Sequence, residues 1–124
     1  MDLLIFDLDG TLVDSKLDLA HSVNAARVHF GLPELDVETI GSYVGNGAPM
    51  LVRRAMGAGA SDADVQRALE FFMAHYGEHK LDYTRAYPGI PEALEQLHAS
   101  GVRMAVLTNK PVRVSGGILD GLGL

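Results

Sequence analysis

The sequence predicts an α/β fold in which two parallel strands are separated by a long, mostly helical stretch. The run Leu3–Phe6 is continuously apolar, as expected of a strand buried on both faces of a parallel sheet. A second apolar run, residues 102–107, lies beyond about 70 residues whose apolar positions recur at helical spacing.

The connecting stretch divides into four predicted helices. They are expected over residues 15–30, 36–43, 49–56 and 61–80. Ser15 stands three residues before Asp18, which is capping-box spacing, and Gly31 with Pro33 ends that helix. Ser61 offers the same signal to the fourth helix.

The last third of the chain predicts a turn, a helix, a strand and a final helix. Pro88 and Gly89 mark the turn, residues 92–99 form an amphipathic helix that stops at Gly101, and Pro111 begins the final helix. Two strands do not sustain a sheet alone, since three or more are generally required. The expectation is therefore a partial sheet, belonging to a longer fold or completed by another chain, with an edge open to self-association.

The composition excludes several classes of function. The 124 residues carry a net charge of -6 without a basic run, which argues against a nucleic-acid partner. The absence of cysteine excludes disulfides and thiolate metal sites. The sequence contains neither a signal-peptide pattern nor an apolar stretch of bilayer length, so we expect a cytoplasmic protein without a membrane partner.

Two aspartates follow the first strand directly. Residues i and i+2 of an extended segment project to the same side, so Asp7 and Asp9 should face one pocket at the carboxyl edge of the sheet. Mg²⁺, which prefers oxygen ligands, would relieve their mutual repulsion. Gly10 and Thr11 then form a turn whose backbone N–H groups are expected to point at an anion.

An EF-hand loop and a plain turn are the alternatives to a catalytic site at this motif. An EF-hand loop begins in a similar way but requires Gly at its sixth position and Glu at its twelfth, where this chain has Leu12 and Asp18. A plain turn remains open on these residues alone.

The segment IFDLDGTLVDS resembles the first signature motif of the haloacid dehalogenase-like (HAD) phosphohydrolases, and YPGIPEALEQLHASGVRMAVLTNKP resembles the segment that carries their second motif. The combination is most similar to phosphoglycolate phosphatase-type members. The resemblance implies a Rossmann-like core, residues 1–14 and 82–124, with an inserted α-helical cap, residues 15–81.

The resemblance also implies roles for individual residues. Asp7 would be the nucleophile, and Asp9 the general acid and base. Thr108 would hydrogen-bond a phosphoryl oxygen, and Mg²⁺ would be held by the Asp7 side chain and the Asp9 backbone carbonyl. The substrate or phosphate group would further meet Gly10, Thr11, Asn109 and Lys110.

The family's third motif, a lysine, and its fourth, an acidic pair, are not found in these 124 residues. Lys110 could replace that lysine, although TNKP is also normal for members that carry the later one. We therefore expect the chain alone to be nearly inactive.

The function implied is Mg²⁺-dependent hydrolysis of small phosphomonoesters, such as phosphoglycolate, through an aspartyl-phosphate. The alternatives are a β-phosphoglucomutase-like phosphoryl transferase and a non-catalytic fragment or binding module.

Several further residues are also candidates for the site. Arg53 and Arg54 are expected to be solvated, and Asn46 and Gly47 either approach a ligand or only separate two helices. Asp14 is either close to the metal pocket or a favourable acid at a helix start. His75 and His79 have zinc-compatible spacing but no third ligand nearby, so an exposed helix face is favoured.

Overall fold

The structure, a computed structural model, describes residues 3–108, 110 and 112–124, and only the backbone of residues 112 and 113. Its elements in chain order are β1 (Leu3–Phe6), β2 (Val13–Asp14), α1 (Lys16–His29), α2 (Val37–Gly41), α3 (Ala48–Met56), α4 (Asp62–His79), β3 (Arg85–Ala86), α5 (Ile90–Ala99), β4 (Arg103–Val106) and α6 (Val112–Leu122). The predicted strands and helices occur in the predicted order, and the short strands β2 and β3 are additional to them. The beginning of the last helix at Pro111 lies outside the described residues.

The two predicted strands pair in parallel. β1 and β4 run in register from Leu3 opposite Arg103 to Phe6 opposite Val106, and the Leu107 N–H donates to the Phe6 carbonyl at 2.8 Å. Their carboxyl ends therefore lie at the same edge.

The prediction that β1 is buried on both faces is wrong for this chain. Leu3 and Ile5 are 51% and 59% exposed. A parallel sheet is buried when further strands and helices cover it, and within the described residues β1 pairs only with β4.

A second, antiparallel pair was not predicted. Val13 of β2 lies opposite Ala86 of β3, and Asp14 lies opposite Arg85. This pair joins the start of the helical stretch to the segment where the stretch ends.

The hydrophobic core lies mainly among α1, α3 and α4. Its fully buried side chains include Ala20, Phe72 and Tyr76 of the helices and Leu8 and Leu12 of the turn after β1. No helix formed by the described residues is both long enough and apolar enough to cross a bilayer.

Only one of the two predicted helix caps forms. The Ser61 hydroxyl accepts from the Asp64 N–H at 3.1 Å, as its position at the helix start requires. Ser15 makes no such bond and donates instead to Asp9 Oδ1 at 2.5 Å.

Asp18, the other half of the failed capping box, is 1% exposed. Its carboxylate accepts from the N–H groups of Tyr83 (2.9 Å) and Thr84 (2.8 Å) and from the Thr84 hydroxyl (2.6 Å). Asp18 thus fastens α1 to the segment that follows α4.

Candidate active site

The pairing of β1 with β4 brings the two motif segments together. Asp7 follows the last residue of β1, and Thr108 comes two residues after the end of β4. Both side chains line one cavity of about 120 Å³, together with Asp9 and Lys110. The prediction that Asp7 and Asp9 face one pocket at the carboxyl edge is confirmed.

The helical stretch forms the opposite wall of this cavity. Its lining residues are Leu19, Val44, Gly45, Gly47, Ala48, Leu51, Phe72, Met73 and Tyr76, and Val114 of α6 also lines the cavity. Ligand pockets for drug-sized molecules measure about 300–1,000 Å³, so this one suits a smaller ligand.

Asp9 is held by two partners. Its Oδ1 accepts from the Ser15 hydroxyl at 2.5 Å and lies 3.0 Å from the Lys110 ammonium nitrogen. The Lys110 side chain is only 8% exposed, and it also donates to the Tyr76 phenol oxygen at 2.6 Å.

Burial governs the ionisation of the two groups beside Asp9. It lowers the pKa of Lys110, while the Asp9 carboxylate opposes that shift. Burial, reinforced by the negative charges of Asp9 and Asp18, raises the pKa of the Tyr76 phenol far above its ordinary value. Tyr76 is therefore a neutral hydroxyl beside a cation.

The backbone N–H groups of the turn after Asp9 donate within the turn itself. The Gly10 N–H donates to the Val13 carbonyl at 2.9 Å, and the Thr11 N–H donates to the Leu8 carbonyl at 3.4 Å. The prediction that these groups point at an anion is wrong for this arrangement. The local reason is a tight turn in which Gly10 has a φ of 82°, a conformation that favours glycine.

The Asp9 carbonyl takes no part in the two backbone hydrogen bonds that form the bridge between Asp9 and Val13. The bridge between Asp9 and Val13 is made by the Val13 N–H to the Leu8 carbonyl and by the Gly10 N–H to the Val13 carbonyl. The Asp7 carboxylate accepts from the Leu8 N–H at 2.8 Å.

These oxygens fit a magnesium ion better than a softer metal. No group of three or more His, Cys, Asp or Glu side chains that could hold a metal occurs among the residues the structure describes. Mg²⁺ commonly binds through one or two carboxylates, several waters and substrate phosphate oxygens. The Asp7 carboxylate and the Asp9 carbonyl could supply such a partial ligand set.

The remaining predicted residues lie elsewhere. Asn109 is outside the described residues, and Thr11 does not line the cavity. Gly10 lines a neighbouring groove of about 510 Å³ that also contains Asp14. Asp14 accepts from the N–H of Lys16, the first residue of α1, at 3.3 Å, which favours its role at a helix start.

The two arginines of α3 do not line the cavity. Arg53 pairs with Asp62 at 3.0 Å on the surface. Arg54 was expected to be solvated, but it donates hydrogen bonds to the Tyr43 carbonyl and to the Asn46 side chain. These bonds hold the segment before α3 in place.

The two histidines of α4 stack on each other. The ring centroids of His75 and His79 are 4.3 Å apart, and His75 Nδ1 lies 2.8 Å from the Ser22 hydroxyl of α1.

Sequence reasoning missed two residues of this site. Ser15 is expected to be a helix cap, and Tyr76 is not singled out within the helix predicted over residues 61–80, where it shares an apolar stripe with Phe72. The one available signal was the hydroxyl of Tyr76, a polar group within that stripe that requires a partner when buried.

Comparison with known proteins connects this geometry to a family. The family model for haloacid dehalogenase-like hydrolases matches residues 4–124. A phosphoglycolate phosphatase of Pseudomonas syringae pv. tomato is 45% identical over 127 residues, covering 98% of this chain and 46% of the relative. One from Haemophilus influenzae is 41% identical over 129 residues, covering 98% and 58%.

Solved structures show the same fold. A crystal structure described as a predicted phosphoglycolate phosphatase from Haemophilus somnus matches with a TM-score of 0.92 at 36% identity, covering 99% of this chain and 58% of that one. The chain spans about half the length of the curated relatives it matches.

Proposed function

This chain belongs to the haloacid dehalogenase-like hydrolases, and on that premise we propose that it carries the nucleophile and the acid–base residue of a phosphatase for small phosphomonoesters. The cavity that contains Asp7, Asp9, Thr108 and Lys110 is the observation that carries the proposal. Curated relatives that are phosphoglycolate phosphatases support a phosphorylated two-carbon acid as the substrate.

The chain divides into two parts at the cavity. Residues 1–14 and 82–124 form the core that holds the reacting groups, and residues 15–81 form a helical cap. The cavity is lined from both parts, which supports this division.

Asp7 is the nucleophile of the first step. Its carboxylate oxygen forms a bond to phosphorus as the bond between phosphorus and the leaving oxygen breaks. Asp9, in its protonated form, gives its proton to that leaving oxygen, and an alcohol departs. The product is an aspartyl-phosphate, which divides one difficult hydrolysis into two easier steps.

Asp9 acts again in the second step. Its carboxylate takes a proton from a water molecule as the water oxygen bonds to phosphorus and the bond to the Asp7 oxygen breaks. Inorganic phosphate leaves, and both residues return to their starting forms. The Ser15 hydroxyl orients Asp9 for both transfers, and such acid–base assistance is typically worth about 10²–10⁴-fold in rate.

Lys110 and Thr108 face the phosphoryl group. The Lys110 ammonium offsets negative charge on the phosphoryl oxygens, and the Thr108 hydroxyl donates to one of them. When bound by the Asp7 carboxylate and the Asp9 carbonyl, Mg²⁺ supplies further neutralisation of that charge.

Release of inorganic phosphate tests the proposal. The chain is assayed with Mg²⁺ on phosphoglycolate and on an aryl phosphate, and we expect slow release because the family's third and fourth motifs are not found in these 124 residues. Asp7→Asn should abolish that release because an amide cannot act as the nucleophile. Asp14→Asn is the matched control, since Asp14 is exposed and does not line the cavity. Phosphate release that survives Asp7→Asn would refute the assignment of the nucleophile.

A further inference from the structure

Lys110 is held from two sides by parts of the fold that are distant in sequence. Its ammonium nitrogen lies 3.0 Å from Asp9 Oδ1, at the edge of the sheet. The same nitrogen donates to the phenol oxygen of Tyr76 on α4 at 2.6 Å and lies 4.5 Å from the centre of that ring. The Lys110 ammonium therefore has two acceptors, the Asp9 carboxylate and the Tyr76 phenol oxygen.

Tyr76 is itself a rigid support. The residue is 2% exposed, and its ring stacks on Phe72 with centroids 5.6 Å apart and planes at 10°. A tyrosine side chain has few rotatable bonds, so its oxygen moves little once the ring is packed. A lysine carries a point charge on a four-carbon chain and loses much rotamer freedom when it is held.

We propose that Tyr76 is a positioning residue that holds the Lys110 ammonium beside Asp9. The inference rests on the proposed function, because it concerns the cation that meets the phosphoryl group. It adds a consequence: the cation reaches its working position only when α4 is packed across the cavity from the sheet edge. The helical segment therefore helps to assemble the site in addition to enclosing it.

A purely structural tyrosine makes a different prediction. Tyr76 could be a core residue whose hydroxyl merely finds a convenient partner, as buried tyrosines generally do. In that case the loss of the hydroxyl would change the site no more than any other local repacking would. The two roles separate in variants that keep the ring, because Tyr76→Phe removes only the acceptor for the ammonium.

The first test needs no ligand. In protein labelled with ¹⁵N-lysine, an ammonium held by two acceptors exchanges its protons slowly and should give its own NMR signal, assigned by its loss in Lys110→Met. Tyr76→Phe should abolish or broaden that signal. Tyr83→Phe, which removes an exposed phenol from outside the cavity, should retain it. An unchanged Lys110 signal in folded Tyr76→Phe protein overturns the proposal.

The second test is a double-mutant cycle on binding of fluoroberyllate, a phosphoryl mimic, in the presence of Mg²⁺. Tyr76→Phe should weaken binding about tenfold, the order of magnitude of one hydrogen bond to a charged group. In the Lys110→Met background the same substitution should have no further effect. Equal weakening in both backgrounds shows that Tyr76 does not act through Lys110 and overturns the proposal.

Failure of the proposed function has a separate signature in the same experiments. If Asp7→Asn and Lys110→Met both bind fluoroberyllate as the unmodified protein does, the phosphatase assignment fails. The ammonium signal still decides whether Tyr76 positions Lys110. If Lys110→Met weakens binding and Tyr76→Phe does not, the phosphatase assignment stands and only the role of Tyr76 is lost.

Discussion

The ammonium nitrogen of Lys110 lies 3.0 Å from Oδ1 of Asp9, so the cation that follows β4 meets the acid that follows β1. The two side chains are 8% and 21% exposed, whereas those of the surface pair Lys16 and Glu38 are 42% and 83% exposed. Exposed pairs contribute little because water and salt screen them. The pair of Lys110 and Asp9 is shielded from both water and salt. The positive charge of the Lys110 ammonium is therefore little screened from an anion that binds in the cavity.

Removal of that charge should weaken the binding of a phosphoryl group. We expect Lys110→Met to reduce affinity for fluoroberyllate with Mg²⁺ by tenfold or more, since hydrogen bonds to charged groups contribute about 1.5–3 kcal/mol. Lys80→Met removes an equal charge from a side chain that donates to the Gly77 carbonyl and does not line the cavity. Calorimetric titration should show loss of affinity in the first variant and no change in the second.

The carboxylate of Asp18 should matter for stability rather than for chemistry. The Asp18 carboxylate accepts hydrogen bonds from three donor groups of Tyr83 and Thr84. Asp18→Asn removes its charge, and we expect the free energy of unfolding to fall by about 2–3 kcal/mol. Asp36→Asn is the matched control, because Asp36 caps α2 and Asn caps helices as well as Asp does. Urea denaturation that gives equal stabilities for both variants would show that this contact does not fasten α1.

His75 should make stability dependent on pH. Burial, with a contribution from His79, holds its pKa below the ordinary value of 6.5, and the opposing influence of Asp82 and Glu78 is smaller. The unfolded chain therefore binds a proton at a higher pH than the folded protein does. The stability contribution is fully present above about pH 6.5 and is lost as the pH falls below it.

The test compares melting temperatures at about pH 7.5 and about pH 5.5, roughly one unit above and one unit below the ordinary histidine pKa. His75→Gln can keep a hydrogen bond to Ser22 but cannot titrate. On going from the higher to the lower pH, its melting temperature should therefore fall less than that of the unmodified protein. An equal decrease in both proteins would assign the effect to other groups.

Part of the site could be predicted from local sequence patterns. The placement of Asp7 and Asp9 followed from a strand whose residues alternate in direction, which requires only the neighbouring residues. The place of Thr108 in the site was implied by the resemblance to the haloacid dehalogenase-like hydrolases. The structure brings the three residues together because β1 and β4 pair in parallel and end at the same edge.

The contacts that local patterns could not predict are tertiary. Ser15 and Asp18 have capping-box spacing, but the sequence cannot show that Asp9 and Thr84 offer better partners. Strands β2 and β3 have two residues each, too few for an alternating pattern to be visible. The position of Tyr76 on α4 matches that of any other residue in an apolar stripe, and only the fold places it beside Lys110.

The proposed mechanism depends above all on Asp7 carrying the phosphoryl group, and chemical trapping of that group is the decisive measurement. Asp9→Asn protein, which lacks the base for the second step, is incubated with Mg²⁺ and an aryl phosphate whose leaving group needs no proton. It is then treated with borohydride, which reduces an acyl phosphate to the alcohol. We expect peptide mass spectrometry to find homoserine at position 7 and an unchanged aspartate at position 14. Reduction at another residue, or none while unmodified protein releases phosphate, would show that Asp7 is not the nucleophile.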